Sequence, residues 1–430
     1  MSEKIKIITL GDHPLSPSGV GIQTKYFIEG LLATGKYKFT SLGGAMKHQD
    51  YQPLRIEKYA DDWTIYPVDG YGTKDMIRGL IRSERPDILW FMTDPRFWGW
   101  LWEMDNEIRT SVPMVYHHVW DNYPYPTYNK KFYQSNDYIV TISKLTDDIV
   151  RTVAPSVRTK RIGHVVDKSF NTITDTKTID EFKTRTMGNP KTESGDDKVL
   201  FFWNNRNARR KQSGSLIYWF KTFLEKVGRD KASLIMHTDP KDMHGQDLEY
   251  LIKSLGLDNG EIFLSKDKIP SEVLAQIYNM VDCTINISDA EGFGLATLES
   301  LACGTPIIVT MTGGLKEQVT DGENWFGIGL EPVSKAIIGS QDIPMIYEDR
   351  LSEEVVVSAL EEFCNLTPAE RQKMGRLGQQ HVHKNYNIEK AIEMWDETMT
   401  EIVDELGSWD TRRGYAPWTC QEIRRDKEAA

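Results

Sequence analysis

Hydrophobic residues occur along this chain in short β-branched runs that alternate with longer amphipathic segments. In its first part, the runs at residues 4–10, 88–91, 114–118 and 138–142 predict strands, and the amphipathic pattern at 143–153 predicts a helix. Strands that alternate with helices in this way predict a parallel sheet covered by helices on its faces.

A polar stretch that ends at Asp197 interrupts this alternation, which then starts again. The strands predicted after it are 198–203, 233–237, 262–264, 283–287 and 306–310. The helices predicted after it are 213–226, 246–255, 271–280, 295–302, 353–364, 368–385 and 388–406. The fold class is therefore α/β, with two Rossmann-like, doubly wound parallel-sheet domains that face a central cleft, where the carboxyl ends of the strands bind ligands.

The same pattern predicts the domain boundaries. We expect an N-terminal Rossmann-like domain over 1–168 and an interdomain linker over 169–197. A C-terminal Rossmann-like domain follows over 198–395, and a C-terminal helix and tail over 396–430 come last. No sequence repeat links the two halves, so their likeness is one of pattern only.

Composition and charge narrow the classes of protein. The chain has 430 residues, 27% of them charged, and a net charge of −11, which is ordinary for a globular protein and disfavours broad binding to nucleic acid. Its four cysteines form no C-x-x-C pair, and neither a signal segment nor a run of about 18 apolar residues occurs. We expect a cytoplasmic protein without a transmembrane segment; a peripheral contact with a membrane stays open.

The segment after the strand at 283–287 carries the clearest chemistry. Gly292 and Gly294 flank Phe293 directly before a predicted helix that starts at Leu295. Two glycines let several backbone N–H groups converge at a helix N-terminus, which is a natural seat for a diphosphate. Glu291 precedes this bend, and Glu299 lies about one turn inside the helix, where its carboxylate can accept hydrogen bonds from two sugar hydroxyls.

This segment resembles the E-x7-E motif of retaining GT-B glycosyltransferases, most closely glycosyltransferase family 4 (group 1). The resemblance extends from residue 198 to residue 326. It implies that the C-terminal domain binds a nucleotide sugar, that the N-terminal domain lies on the acceptor side, and that the helix and tail over 396–430 return to the N-terminal domain. It implies that Glu299 binds the ribose of a nucleotide sugar, that Glu291 contacts the donor sugar, and that the backbone of residues 292–295 holds the diphosphate. Two solvated glutamates at a helix start are the structural alternative.

A basic element follows the first strand of the second domain. Arg206 and Lys211 are similar in type and spacing to the family's Arg and Lys pair, although Asn205 replaces the usual glycine. Fixed cations there stabilise the charge that develops on a departing diphosphate. A solvated basic loop, or a nucleic-acid patch that includes Arg209 and Arg210, is the alternative.

The first domain offers weaker candidates. Gly19 and Gly21 follow the first strand, where they either approach the donor closely or form an ordinary tight turn. The strand at 114–118 ends in His117 and His118, and we favour His118 as the histidine that faces the cleft and orients the sugar, because it adjoins a polar turn. A histidine buried in the core is the alternative.

Together these features predict a metal-independent, retaining hexosyltransferase-like enzyme. It uses a nucleotide-diphosphate sugar as donor substrate and no other cofactor. The acceptor stays open among a glycan, a lipid-linked or small molecule, and a hydroxylated DNA base, as does the oligomeric state. The alternatives are a nucleotide-sugar epimerase or sugar phosphorylase of the same fold, and a non-catalytic module that binds a nucleotide sugar or nucleic acid.

Overall fold

Two α/β domains and a pair of long helices make up the protein. The computed structural model describes residues 3–188 and 190–420, so the last ten residues of the predicted tail lie outside the described part. Within the described residues, no helix has the length and apolar character needed to cross a membrane.

The first domain contains an eight-stranded sheet in the order β3-β4-β2-β1-β5-β6-β7-β8, parallel except for the edge strand β3. Its elements are β1 (Ile5–Asp12), α1 (Gly19–Ala33), β2 (Tyr37–Gly44), β3 (Leu54–Arg55), β4 (Trp63–Pro67), α2 (Lys74–Glu84), β5 (Ile88–Thr93), α3 (Gly99–Trp102), α4 (Asp105–Arg109), β6 (Met114–His118), α5 (Lys130–Gln134), β7 (Tyr138–Thr141), α6 (Lys144–Val153) and β8 (Arg158–Arg161).

Central strands of this sheet are buried on both faces. Every residue of β5 and β6 is buried, because helices cover both sides of a parallel sheet. This explains why their sequences read as continuous apolar runs rather than as alternating ones. Two hydrophobic clusters, one on each face, fill the space under the helices.

The second domain contains a six-stranded, all-parallel sheet in the order β11-β10-β9-β12-β13-β14. Its elements, with the helix that precedes them, are α7 (Thr176–Met187), β9 (Val199–Asn204), α8 (Ser213–Val227), β10 (Ala232–His237), α9 (Leu248–Ser254), β11 (Ile262–Ser265), α10 (Ser271–Met280), β12 (Cys283–Asn286), α11 (Leu295–Ala302), β13 (Ile307–Thr310), α12 (Lys316–Val319), β14 (Gly327–Leu330), β15 (Ser334–Ile338), β16 (Ile346–Arg350), α13 (Glu353–Asn365), α14 (Pro368–Asn385) and α15 (Ile388–Leu406).

The region predicted as a linker is partly structured. Its helix α7 packs against α10, and Phe182 is buried in the core of the second domain. The apolar face of α7 therefore gives the connection a core to join, and much of it belongs structurally to the second domain.

The last long helix, α15, crosses from the second domain to the first. Trp395 is fully buried against Phe27 and Trp90, with ring centroids 5.6 and 4.9 Å apart. Because Ile392 already contacts Gly30 on α1, this crossing begins before the predicted boundary at residue 396.

The hairpin β15–β16 is a feature that the hydrophobic pattern did not predict. It is antiparallel and reaches from the second domain to the segment after β6. There the Asn122 amide donates to Asp349 at 2.9 Å and to Thr312 at 3.2 Å, and the Tyr128 hydroxyl donates to the Met345 carbonyl at 2.8 Å. These bonds hold the two domains together beside the cleft.

Candidate active site

A bend between β12 and α11 forms one wall of the interdomain cleft. Gly294, the residue before α11, has a φ of 93°, and a Cβ there would lie 2.6 Å from Leu315. Only glycine fits this left-handed, crowded position. No side chain caps α11, so the N–H groups of its first turn are available to a ligand.

Glu291 is buried directly before this bend and is surrounded by cations. Lys211 donates to its carboxylate, and the Arg210 Nη1 atom lies 4.0 Å from the same oxygen. Burial alone would raise the pKa of Glu291, but the charges of Lys211 and Arg210 outweigh burial and hold the pKa below its usual value. Glu291 is therefore ionised at neutral pH and fixed in position.

Glu299 lies in a different environment, on α11 itself. It is half-buried, and the Tyr278 hydroxyl donates to its Oε2 atom at 2.8 Å. Burial raises the pKa of Glu299 to about 7; the bond from Tyr278 opposes this rise, and the negative charge of Asp167 adds to it. Glu299 thus titrates near neutral pH and offers a second oxygen to a ligand.

Arg210 lies in this site, although the sequence pattern singled out Arg206. The Arg210 side chain donates to the Ala290 carbonyl at 2.7 Å, and its Nε atom lies 3.7 Å from Asp121 of the first domain. A basic residue next to Lys211 and a polar turn after β6 were the available signals for Arg210 and Asp121. Their pairing required the two domains to be placed against each other.

Arg206, predicted to hold the diphosphate together with Lys211, is engaged by other residues in this structure, and its role stays a prediction. Its guanidinium binds the Asp242 carboxylate at 2.6 and 3.2 Å and contacts the His244 Nδ1 atom at 2.7 Å, and it is largely exposed. Asp242 lies in the loop after β10, which the sequence spacing of Arg206 and Lys211 does not reveal. This carboxylate matches the planar guanidinium and draws it away.

His118 does not face the cleft, so its prediction as a sugar-orienting residue is wrong. Both of its ring nitrogens contact tyrosine hydroxyls, those of Tyr116 at 3.0 Å and Tyr133 at 2.9 Å, and burial lowers its pKa to about 3. His117 is equally buried, under Trp395 on the opposite face. Helices cover both faces of β6, so neither histidine reaches the cleft.

The two glycines of the first domain differ in role. A Cβ on Gly19 would lie 3.1 Å from Leu295, so Gly19 faces the bend across the cleft. A Cβ on Gly21 would lie 2.4 Å from the Ser16 Oγ atom and 2.6 Å from the His13 carbonyl, both in the loop before α1. Gly21 therefore lies in the first turn of α1, packed on that loop, with its N–H bonded to Ser18; a role in donor binding stays a prediction.

Gly292 and Phe293, in the same bend, pack against other parts of the protein. Gly292 faces the first domain, because a Cβ there would lie 3.0 Å from both the Asp121 carboxylate and the Trp120 carbonyl. The Phe293 side chain points into the core, 4.8 Å from His164 and 5.6 Å from Tyr386 between ring centroids. Phe293 thus anchors the bend, whose carbonyls accept from the Gly314 N–H and the Gln318 side-chain amide.

Comparison with known proteins finds relatives that match the second domain. Residues 189–335 match the family of glycosyl transferases group 1. The chain is 25% identical over 153 residues to N-acetyl-alpha-D-glucosaminyl L-malate synthase of Bacillus anthracis. The aligned segment covers 36% of this chain and 34% of that protein. It is 40% identical over 77 residues to D-inositol 3-phosphate glycosyltransferase of Acidothermus cellulolyticus, or 18% and 17% of the two chains.

The matched segments therefore span about a third or less of these relatives, whereas the likeness in fold spans nearly the whole chain. Sucrose-phosphate synthase from Thermosynechococcus elongatus superposes with a TM-score of 0.71 at 16% identity, over 93% of this chain and 100% of that one. Anabaena HepE in complex with UDP and glucose gives 0.64 at 14%, over 92% and 100%. The fold is GT-B, and the predicted resemblance to group 1 is confirmed for the second domain.

Proposed function

We propose that the protein is a glycosyltransferase that moves a sugar from a nucleoside-diphosphate sugar to an acceptor hydroxyl. The observation that carries this proposal is the uncapped start of α11, beside which Lys211, Arg210 and Glu291 converge. The group 1 family match covers this segment, and so supports the proposal at the site itself.

Each group has a part in binding the donor. The N–H groups of residues 292–295, with Lys211 and Arg210, hold the diphosphate, and they stabilise its departure because negative charge grows on its oxygens as the bond to the sugar breaks. Glu291 accepts hydrogen bonds from the sugar hydroxyls. Glu299, in its ionised form, accepts them from the ribose.

The proposed reaction retains the configuration of the sugar. The bond from the anomeric carbon to the diphosphate breaks, and a bond from the same face of that carbon to the acceptor oxygen forms. The acceptor proton passes to a diphosphate oxygen, so no carboxylate of the protein acts as nucleophile. The anomeric configuration of the product, read by NMR, tests this step, and turnover in EDTA tests whether a metal is needed.

Closure of the two domains supports transfer over hydrolysis. Gly19 meets Leu295 and Asp121 approaches Gly292, so the first domain covers the donor bend. A covered site excludes water that would otherwise attack the activated sugar. The acceptor hydroxyl then enters from the first domain, whose loops line the other wall of the cleft.

A binding panel followed by a transfer assay tests the proposal. Nucleoside diphosphates and their sugars are screened by thermal shift, beginning with UDP and UDP-glucose, because HepE is solved with UDP and glucose. We expect a diphosphate sugar to raise the melting temperature and Glu299→Ala to reduce that rise. Radiolabel from the donor sugar is then followed into neutral glycans, lipid-linked sugars, small hydroxylated molecules and hydroxymethylated DNA.

Two rivals predict different products. An epimerase converts the donor sugar without transferring it, and a phosphorylase releases a sugar phosphate when phosphate is supplied. A non-catalytic module gives a thermal shift but no product with any donor and acceptor. A large shift with NAD and none with any diphosphate sugar contradicts the proposal as a whole.

A further inference from the structure

A second cavity lies between the domains, away from the donor bend. It has a volume of about 600 Å³, and we call it the hinge cavity. Its walls come from residues 142–165 of the first domain, residues 317–326 of the second, and the helices α14 and α15. This volume is within the range of small-molecule sites, and both domains contribute to its walls.

Cations outnumber carboxylates in this cavity. Its lining includes Lys144, Arg161, Lys384 and Lys390 against two carboxylates, Glu317 and Asp321, in a chain whose net charge is −11. In a protein whose net charge is negative, such a concave cluster of cations produces a local positive potential that attracts anions.

Both carboxylates are already engaged by the protein. Glu317 accepts a hydrogen bond from the Lys144 backbone N–H at 3.0 Å and lies 3.8 Å from Arg161. Asp321 accepts from the backbone N–H groups of Glu323 and Asn324, at 3.0 and 2.7 Å. These bonds hold both carboxylates in local turns, and the four cations against two carboxylates leave the lining with an excess of positive charge.

The lysines themselves have no such partners. Over residues 3–188 and 190–420, no carboxylate oxygen lies within 4 Å of the ammonium groups of Lys144, Lys384 or Lys390. His381 lies among them, with its Nε2 atom 3.0 Å from the Glu317 carbonyl. Burial, together with the charges of Lys144 and Lys384, lowers the pKa of His381, so the ring is a neutral part of this wall.

We infer that the hinge cavity binds a small, multiply charged anion of the phosphate class, either inorganic or carried on a sugar. Lysine ammonium groups bind phosphate oxygens as point charges, and Arg161 binds them through its planar fork. Because both domains supply cations, the bound anion bridges them and favours the closed arrangement. This site is separate from the donor bend and does not depend on the proposed transferase activity.

The cavity also has a direct structural route to the bend. Tyr386 lines the cavity, and its ring packs on Phe293 with centroids 5.6 Å apart. Phe293 anchors the bend, so an anion that fixes Tyr386 also restrains the donor seat. Occupancy of the hinge cavity is therefore expected to strengthen binding of a nucleoside diphosphate, and the nucleotide to strengthen binding of the anion.

Pyrophosphate and a sugar bisphosphate are the probes, added to the full chain at fixed ionic strength and followed by calorimetry and thermal shift. Two variants separate the two places where pyrophosphate can bind. Lys384→Ala/Lys390→Ala removes unpaired cations from the hinge cavity, and Lys211→Ala removes a cation from the bend. Arg210→Ala replaces Lys211→Ala if the latter does not fold.

We expect Lys384→Ala/Lys390→Ala to weaken binding of at least one probe about tenfold or more and to leave the thermal shift with UDP in place. The bend variant keeps its response to the same probe. The matched control is Lys221→Ala/Lys226→Ala. It removes two lysines of α8 that pair with Glu225 and Glu361, outside the hinge cavity. This control should bind the probes as the unmodified chain does.

Two results overturn the inference. In the first, neither probe binds the unmodified chain at millimolar concentration. In the second, the response is lost in the bend variant but kept in Lys384→Ala/Lys390→Ala, which places the anion at α11 alone. A response to pyrophosphate but not to the sugar bisphosphate supports an inorganic ligand, and the reverse supports a phosphorylated sugar.

Discussion

The two helices that begin at the cleft, α1 and α11, differ in how their first turns are satisfied. In α1, the Ser18 side chain accepts from the Gly21 N–H at 3.0 Å, and Ser18 in turn donates to Asp12 at 2.6 Å. In α11, Gly294 stands at the cap position and provides no side chain. The closed first turn builds a scaffold, and the open one leaves N–H groups for an anion.

Glycine has a different structural role in each of the two turns. Gly21 lets the first turn of α1 pack tightly on the loop before it, whereas Gly294 lets the chain enter α11 from a left-handed conformation. Beside the second turn, Lys211 and Arg210 surround Glu291. A glycine-rich turn is thus a candidate binding site when the N–H groups of the helix after it lack a capping side chain and cations lie beside it.

The largest expected effect follows from removing the ammonium group beside the open turn. Lys211→Ala should lower kcat for sugar transfer about 10²–10³-fold, because a fixed charge on the leaving diphosphate is lost. It also leaves Glu291 buried without its closest cation, so the melting temperature should fall. Steady-state kinetics and calorimetry measure both; Lys221→Ala, on the outer side of α8, serves as the control and should change neither.

Two arginines of one loop provide the next test. Arg210→Ala should reduce kcat/KM about 10–100-fold, since its guanidinium lies beside Glu291 and Asp121. Arg206→Ala should change it less than about threefold, because Asp242 and His244 hold that side chain away from the bend. The opposite order of effects would mean that Arg206 leaves Asp242 when the donor binds.

The pH dependence of nucleotide binding tests Glu299. Its pKa is about 7 in the free protein, and a protonated carboxyl accepts hydroxyl bonds more weakly than a carboxylate does. Affinity for UDP should therefore fall several-fold as the pH is lowered from 8 to 6. Glu299→Gln should bind weakly and lose most of this dependence; an unchanged profile in the variant would assign the titration to another group.

The same carboxyl affects stability with the opposite sign. A carboxyl whose pKa is raised in the folded state stabilises the fold while protonated, and this contribution is lost as the pH rises from its unfolded value through about 7. Without ligand, the melting temperature of Glu299→Gln relative to the unmodified chain should therefore increase over that range. Differential scanning calorimetry at pH 5 and pH 8 gives the comparison.

Substitutions of Gly21 and Gly19 distinguish a structural position from one that faces the cleft. Gly21→Ala should destabilise the fold by roughly 1–3 kcal/mol, because its Cβ overlaps the Ser16 side chain and the His13 carbonyl. Gly19→Ala meets only the end of the Leu295 side chain, so it should leave the melting temperature nearly unchanged and raise the donor KM a few-fold. Equal effects on stability would remove the distinction between these positions.

The smallest effect on activity is expected at His118. His118→Gln should lower the melting temperature, because the bonds to Tyr116 and Tyr133 are disturbed, but should leave kcat within about twofold when assayed below the transition. A loss of activity without a loss of stability would instead indicate that His118 contributes to the active site.

Much of the second domain follows from local sequence. The predicted helices at 271–280, 295–302, 368–385 and 388–406 have the same bounds as α10, α11, α14 and α15, since capping residues and periodicity act within a few turns. The first domain is less predictable. Its continuous apolar strands conceal which face each side chain takes, as His117 and His118 show.

Local chemistry along the sequence therefore determined most of the succession of strands and helices and the glycine bend before α11. The tertiary structure alone decided that Arg206 turns to Asp242, that Arg210 meets Asp121, that β6 is covered on both faces, and that unpaired lysines surround the hinge cavity. Each of these depends on groups distant in sequence, whose charges and surfaces interact only after the two domains pack.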